Sequence, residues 1–326
     1  MVTSRSNKPT VLITMGDPSG IGPEVTLKAL ARGDLSKRAN FLVIGDASAL
    51  DSVGCKLKLG LEVPVLDLAN APVKKISYGV SRPSYGKASV EYIDAALGIL
   101  KRGMADALVT APINKASVSA AGMRGFKGHT EYLADRTGTR RYAMMLAGKD
   151  LRVTLVTRHI ALKDVPRSIS AASVLSAIRI TDKYLKRYFG IRHPKICVAG
   201  LNPHAGDEGL FGDEEKRIVV PAVRAAAAEG IGAIGPAAPD AIFYAALAGK
   251  YDAVIALYHD QGLIPFKMLY FRTGVNLTLG LPFVRTSPDH GTAFDIAGKF
   301  VADPSSMIEA IALACRLSSK TCSPGR

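Results

Sequence analysis

One stretch of this chain, Tyr258 to Gly298, gathers His259 and His290 with Asp260, Lys267, Asn276, Arg285 and Asp289 between them. These polar residues alternate with Leu, Ile, Val and Phe, a pattern that packs the backbone and turns selected side chains toward a ligand. Two further histidines, His159 and His204, share a setting with His259. Each follows an apolar run of strand character, LRVTLV, ICVAGL or YDAVIALY. Neutral imidazoles bind a borderline divalent cation, and three protein ligands leave positions open at which a substrate hydroxyl can bind and lose its proton. The separations, 45 residues from 159 to 204 and 55 from 204 to 259, match no short metal motif. The grouping therefore rests on equivalent placement at strand ends. A single histidine in such a place is more often a hydrogen-bonded loop residue.

Two other segments carry chemistry-bearing residues. In GHTEYLA, 128–134, Thr130 is read as a helix cap with the amides behind it facing an anion. Its neighbour His129 has no role fixed by local pattern, and His193, in the polar turn FGIRHPK, reads as a surface residue. In MGDPSGIGPE, Gly20 and Gly22 permit close backbone approach, and Pro23 suits a first helical turn. This is not GxGxxG, and a tight turn whose glycines serve only packing explains the residues equally well.

The elements that position these residues follow from alternation. Apolar runs at 11–14, 41–45, 105–112, 151–157, 195–201 and 251–258 read as strands, and helical patterns at 87–102, 170–189 and 213–229 lie between them. Strands interleaved with helices predict largely parallel sheets, with functional residues beyond the C-terminal strand ends. A length of 326 residues favours two α/β lobes over one.

Composition narrows the partners. Hydrophobic residues make up 48% and charged residues 21%, enough to bury two cores and too patterned for disorder. The net charge of +14 favours anionic partners, yet aromatics are 6%, Trp is absent, and the cations are scattered. That argues against nucleic acid and fits phosphorylated metabolites and nucleotide cofactors. Cys55, Cys197, Cys315 and Cys322 form no CxxC pair and read as reduced thiols. VLIT near the N-terminus is too short for a signal sequence, and no apolar run reaches membrane-spanning length. A cytoplasmic protein with no membrane partner is expected.

Taken in order, GDPSGIGPE, GHTEYLA, LNPHAGDEGLFGDEE, YHDQGLIPFK and GVNLTLGLPFVRTSPDHGTAFDIAG resemble the 4-hydroxythreonine-4-phosphate dehydrogenase family of pyridoxal phosphate biosynthesis. The likeness spans roughly residues 10 to 318. It implies two α/β/α lobes with a cleft between them, as in isopropylmalate dehydrogenase. The cofactor-side lobe would comprise 1–125 and 281–326, and the metal, substrate and dimerisation lobe 126–280. The resemblance assigns His159, His204 and His259 to a divalent metal (zinc, magnesium or cobalt), the last donated across a homodimer interface. It assigns His129, Thr130, Lys267, Asn276 and Arg285 to the substrate, with Lys267 and Asp240 as catalytic polar contacts. A further likeness, of the first and last motifs to the nicotinamide loops of isopropylmalate and isocitrate dehydrogenases, places His290, Gly291, Thr292 and Asp295 near NAD or NADP.

The implied reaction is oxidation of a secondary alcohol followed by decarboxylation of the 3-oxo acid. Close rivals are dehydrogenases of 4-phospho-D-threonate or 4-phospho-D-erythronate. A dihydrodiol dehydrogenase of the terephthalate type lacks the GHT pattern that this chain keeps. A non-enzymatic, metal-dependent binder of a phosphorylated metabolite is the alternative from another class.

Overall fold

The computed structural model describes residues 8–71 and 76–321; Cys322 and the first seven residues lie outside that range. The chain divides into two compact units, Met1–Gly138 with Leu281–Arg326, and Thr139–Gly280. The division falls at Gly138, later than the expected 125, so His129 and Thr130 belong to the first unit.

In the first unit, β1 (Thr10–Thr14), β2 (Asn40–Gly45), β3 (Val65–Asp67) and β4 (Ala107–Thr110) are joined by a strand from the end of the chain, β11 (Val284–Pro288). All four pairings, β3–β2, β2–β1, β1–β4 and β4–β11, are parallel. Val11, Leu12, Ile13, Ala107, Leu108 and Val109 are fully buried, as expected of strands covered on both faces. The helices are α1 (Gly22–Leu30), α2 (Ala47–Leu57), α3 (Pro83–Lys101), α4 (Lys115–Ala120), α5 (His129–Arg136) and, at the end of the chain, α11 (Ser305–Thr321). Glu24 and Lys28 tie α1 to the C-terminal segment. The Ala302 amide donates to Glu24 Oε1 at 2.8 Å, and Lys28 Nζ donates to the Ala302 carbonyl at 2.9 Å.

The second unit contains β5 (Ala143–Ala147), β6 (Arg152–Leu155), β7 (Ile196–Ala199), β8 (Ala233–Ala237), β9 (Ala253–Ala256) and β10 (Val275–Leu279), in the order β10-β5-β6-β9-β7-β8. The expectation of largely parallel sheets holds with one local exception, β5, which runs antiparallel to both β6 and β10. The reason is local. β5 and β6 are joined by a tight turn in which the Gly148 amide donates to the Leu151 carbonyl at 2.8 Å, and so short a link closes a hairpin and cannot make a crossover. The remaining pairs, β6–β9, β9–β7 and β7–β8, are parallel. Leu146, Val153, Leu155, Ala199, Phe243, Val254 and Phe266 form the core.

Helices α6 (Val165–Ser168), α7 (Ala171–Tyr184), α8 (Val220–Ala228), α9 (Pro239–Leu247) and α10 (His259–Tyr270) complete this unit. α7 starts on a capping box in which Ser170 and Ser173 bond reciprocally, satisfying amides that the first turn leaves open. The helix expected over 170–189 is α-helical to Tyr184 and then widens into a π-turn over Leu185–Phe189. The one expected over 213–229 begins as a π-turn, Glu215–Val219, and becomes α8.

Candidate functional site

The first unit brings together the Gly-rich turn and the C-terminal DHGTAFD segment, far apart in sequence. The Ile21 amide donates to the Thr292 carbonyl at 3.1 Å, and a Cβ on Gly20 would lie 2.9 Å from the Thr292 side chain. Gly22 has its own constraint, since a Cβ there would meet the Met15 carbonyl at 2.3 Å. Asp17 organises the turn by accepting from the Ser19 amide at 2.9 Å and the Ser19 hydroxyl at 2.7 Å. Its other oxygen is buried without a hydrogen-bond partner among the described residues, and burial raises its pKa. Thr292 is buried, while Gly291 and Asp295 are exposed. His290 places Nδ1 3.0 Å from the Gly291 carbonyl, which braces the loop. The two motifs thus meet in one unit.

The same unit holds a cluster around His129. Arg285, on β11, is 2% exposed, and its Nη2 donates to Thr110 Oγ1 on neighbouring β4 at 2.6 Å. Burial pushes the Arg285 guanidinium down to about 9 against the pull of Glu131, which leaves it cationic at neutral pH. Burial, and then the charges of Arg285 and Lys115, hold His129 well below the ordinary histidine range, so the ring is neutral. Its Nε2 is inaccessible and has no hydrogen-bond partner among the described residues. A buried polar atom in that state is rare and calls for a partner from outside the chain, water or ligand.

The helix start differs from the expected one. Gly128, with φ +143°, is the cap of α5, and Thr130 is already inside its first turn and buried. A Cβ on Gly128 would lie 3.8 Å from Lys115 Nζ and 3.6 Å from Glu131 Oε2. Lys115 and Glu131 were not singled out from sequence, yet they flank this site. The available signal was TAPINK, a polar run directly after the strand ADALV.

In the second unit, His159, His259 and His204 follow the C-terminal ends of β6, β9 and β7, three adjacent parallel strands. The structure brings two of these rings together. His159 and His259 have ring centroids 5.6 Å apart. Two imidazoles sharing one ion through bonds of about 2.0–2.1 Å have ring centres roughly 5–6 Å apart, so this pair fits a common cation. His259 Nδ1 lies 2.7 Å from Asp260 Oδ1. A neutral ring donating there keeps its Nε2 lone pair for a metal. His204 packs instead toward Phe211, with centroids 6.5 Å apart. Among the described residues no group of three or more His, Cys, Asp or Glu side chains is arranged to hold a metal ion.

Three unpredicted residues fix the histidine-bearing loops. Gln261 accepts from the Leu257 amide and donates to the Gly200 carbonyl, both at 2.7 Å, linking the ends of β9 and β7. Thr157 donates from Oγ1 to the Leu257 carbonyl at 2.7 Å, linking β6 to β9. Buried Glu215 accepts from the Leu201 and Asn202 amides, each at 2.7 Å, and from Asn202 Nδ2 at 3.0 Å. The loop it braces is left-handed at His204, Ala205, Gly206, Asp207 and Glu208. Left-handed backbone costs a non-glycine residue about 1–2 kcal/mol, and such strain persists only where surrounding contacts enforce it. In sequence these three residues are only polar letters inside HDQG, TRHIAL and GDEE.

The remaining residues implied by the resemblance are spread over the second unit. Asn276, on β10, has Oδ1 buried without a partner among the described residues. Lys267, on α10, is half-buried and lies 5.9 Å from the Phe271 ring centre. Asp240 is exposed in the first turn of α9, where a carboxylate complements the helix dipole.

Two α/β units that display histidines at adjacent strand ends and bury an arginine beside a neutral histidine define an α/β enzyme. The chain belongs to the family of the pyridoxal phosphate biosynthetic protein PdxA, whose model matches residues 26–314. It is 46% identical over 328 residues to the 4-hydroxythreonine-4-phosphate dehydrogenase of Geobacter metallireducens, with 96% of each chain covered. It is 42% identical to the D-threonate 4-phosphate dehydrogenase of Pectobacterium atrosepticum, covering 94% of this chain and 98% of that one. The solved structure of 4-hydroxythreonine-4-phosphate dehydrogenase from Klebsiella pneumoniae superposes with a TM-score of 0.85 at 40% identity, over 95% of this chain and 100% of that one.

Proposed function

We propose that the protein oxidises the secondary alcohol of 4-phosphooxy-L-threonine to 2-amino-3-oxo-4-phosphooxybutanoate, which loses CO2 to give 3-amino-2-oxopropyl phosphate, within pyridoxine 5'-phosphate biosynthesis. His129 carries this reading. A neutral, half-buried imidazole with an unpartnered Nε2, within the electrostatic reach of Arg285 and Lys115, suits one polar group and one anionic group of the same ligand. In a chain so similar to enzymes of this name, that ligand is the phosphorylated hydroxy amino acid.

The chain's own residues take distinct parts. Arg285 supplies a planar fork for two oxygens of a phosphate or carboxylate, and Lys115 adds charge beside it. Asn276 offers its unpartnered Oδ1 to a substrate donor. Lys267 and Asp240 are the residues that the resemblance gives as catalytic polar contacts. The meeting of the Gly-rich turn with Thr292 supports the assignment of both loops to NAD or NADP. When bound, a divalent cation would polarise the alcohol oxygen and lower its pKa, and the nicotinamide would accept the hydride. Imidazole ligands suit zinc or cobalt, and substrate oxygens extend the choice to magnesium.

The protein acts as a homodimer in this proposal. On α10 and at its C-cap, Ile264, Met268 and Phe271 stand 60%, 82% and 76% exposed at helical spacing, and an apolar stripe of that kind favours self-association. The resemblance gives His259 to the neighbour's metal, whereas the 5.6 Å approach of His159 and His259 within one chain supports these two acting on the same ion. A cytoplasmic location is part of the proposal; among the described residues no helix is long and apolar enough to cross a membrane.

The test is reduction of NAD or NADP, followed spectrophotometrically, with 4-phosphooxy-L-threonine, 4-phospho-D-threonate and 4-phospho-D-erythronate as competing substrates. The first should give the highest kcat/KM. Preference for the second would assign the protein to the activity of its D-threonate relative, a second reading that the Pectobacterium likeness supports. Ligand binding without any absorbance change would leave only a binding protein.

A further inference from the structure

The second unit carries a cavity of about 400 Å³ that none of the residues discussed above lines. One wall is a face of α7, where Ser176, Arg179, Ile180 and Lys183 recur at helical spacing. Arg141 and Gly280 form the facing side. That side is tightly built, since Gly280 has φ +104° and a Cβ there would meet the Arg141 carbonyl at 2.3 Å. Only glycine fits there. No acidic side chain is among the lining residues.

The three cations differ in their engagement. Arg179 pairs with Glu229 through both Nε and Nη2, the first at 2.7 Å. That bidentate pair fixes the guanidinium and leaves its Nη1 edge for a second acceptor. Lys183 lies 5.7 Å from the Tyr184 ring centre, and Arg141 is exposed. With Glu229 offsetting Arg179, two positive charges around the hollow remain uncompensated by any lining residue.

We propose that this cavity is a second ligand site, which takes a small phosphorylated molecule and is separate from the catalytic residues. Guanidinium, ammonium and hydroxyl donors lining one hollow match a doubly charged group with three terminal oxygens better than a single carboxylate. Ile180 and the buried Tyr184 supply apolar surface for the carbon body of the ligand. A volume near 400 Å³ falls in the range of small-molecule sites. The inference stands independently of the proposed reaction.

Calorimetric titration of the whole protein with inorganic pyrophosphate tests it. The Arg141→Glu, Lys183→Glu double variant should lose at least tenfold in affinity at this site while keeping its basal dehydrogenase rate. Arg285→Ala should retain binding here. Ser176→Phe, which fills the hollow without changing charge, should also lose binding. Crystals soaked in tungstate should show an anomalous peak between Arg141, Arg179 and Lys183. Wild-type affinity in the double variant, or in Ser176→Phe, would overturn the proposal, as would an empty hollow in the soaked crystal.

Discussion

Arg285 on β11 donates to Thr110 on β4 at 2.6 Å, so the strand pairing itself aims the guanidinium. Arg285→Lys keeps a charge but loses the planar fork. Losing one charged contact costs about 1.5–3 kcal/mol, roughly ten- to hundredfold in kcat/KM. Thr110→Val should raise KM less than Arg285→Lys does, because it removes only the aiming contact. Equal steady-state constants for wild type and Arg285→Lys would remove Arg285 from the substrate site.

His129 makes stability depend on pH. Its folded pKa is depressed below the ordinary value near 6.5, so on acidification the unfolded chain takes a proton that the folded one refuses. Stability from this group is complete above roughly pH 6.5 and falls as the pH drops below it. Asp17, with a raised folded pKa, acts with the opposite sign in the carboxylate range. Urea unfolding at a series of pH values should show a shallower acid-side loss for His129→Gln than for wild type. An unchanged slope would mean that His129 is not held neutral.

Removing the metal should remove turnover. His159→Ala, His204→Ala and His259→Ala should each lose most bound metal and most activity, and a chelator should do the same. Gln261→Leu leaves every imidazole in place but cuts the link between Leu257 and Gly200. About a 10–100-fold loss of metal affinity is expected from such a supporting group. Full activity in protein shown metal-free by elemental analysis would refute the assignment.

Subunit sharing can be separated from action within one chain. Inactive His159→Ala and His259→Ala proteins, unfolded and refolded together, should form heterodimers if the protein is the proposed dimer. If the two rings serve ions in different subunits, part of the activity returns. If the close pair seen in one chain binds a single ion, both sites of the heterodimer stay defective and no activity returns.

Recognition of the phosphate has its own signature. 4-Hydroxythreonine without its phosphate should be a poor substrate for the wild type, and the gap between the two substrates should narrow in Arg285→Ala or Lys115→Ala. Equal kcat/KM for both substrates in the wild type would exclude a phosphate contact.

Much of this was legible in the sequence because it depends on local pattern. Apolar runs such as VLIT and YDAVIALY announce buried strands by hydrophobicity alone. Placing His159, His204 and His259 just beyond strand ends needed no more than that. The strand order β6-β9-β7, which makes those ends adjacent, came from packing between segments far apart in sequence. So did the antiparallel β5, whose AMMLA sequence states burial but not direction. Gln261 and Glu215 were hidden for the same reason: their partners are backbone groups, which a sequence does not distinguish. Arg285 is legible in sequence as a candidate anion ligand, but its burial is not. Only tertiary structure shows the strand that carries it closed in on both faces, with the guanidinium lodged against Thr110.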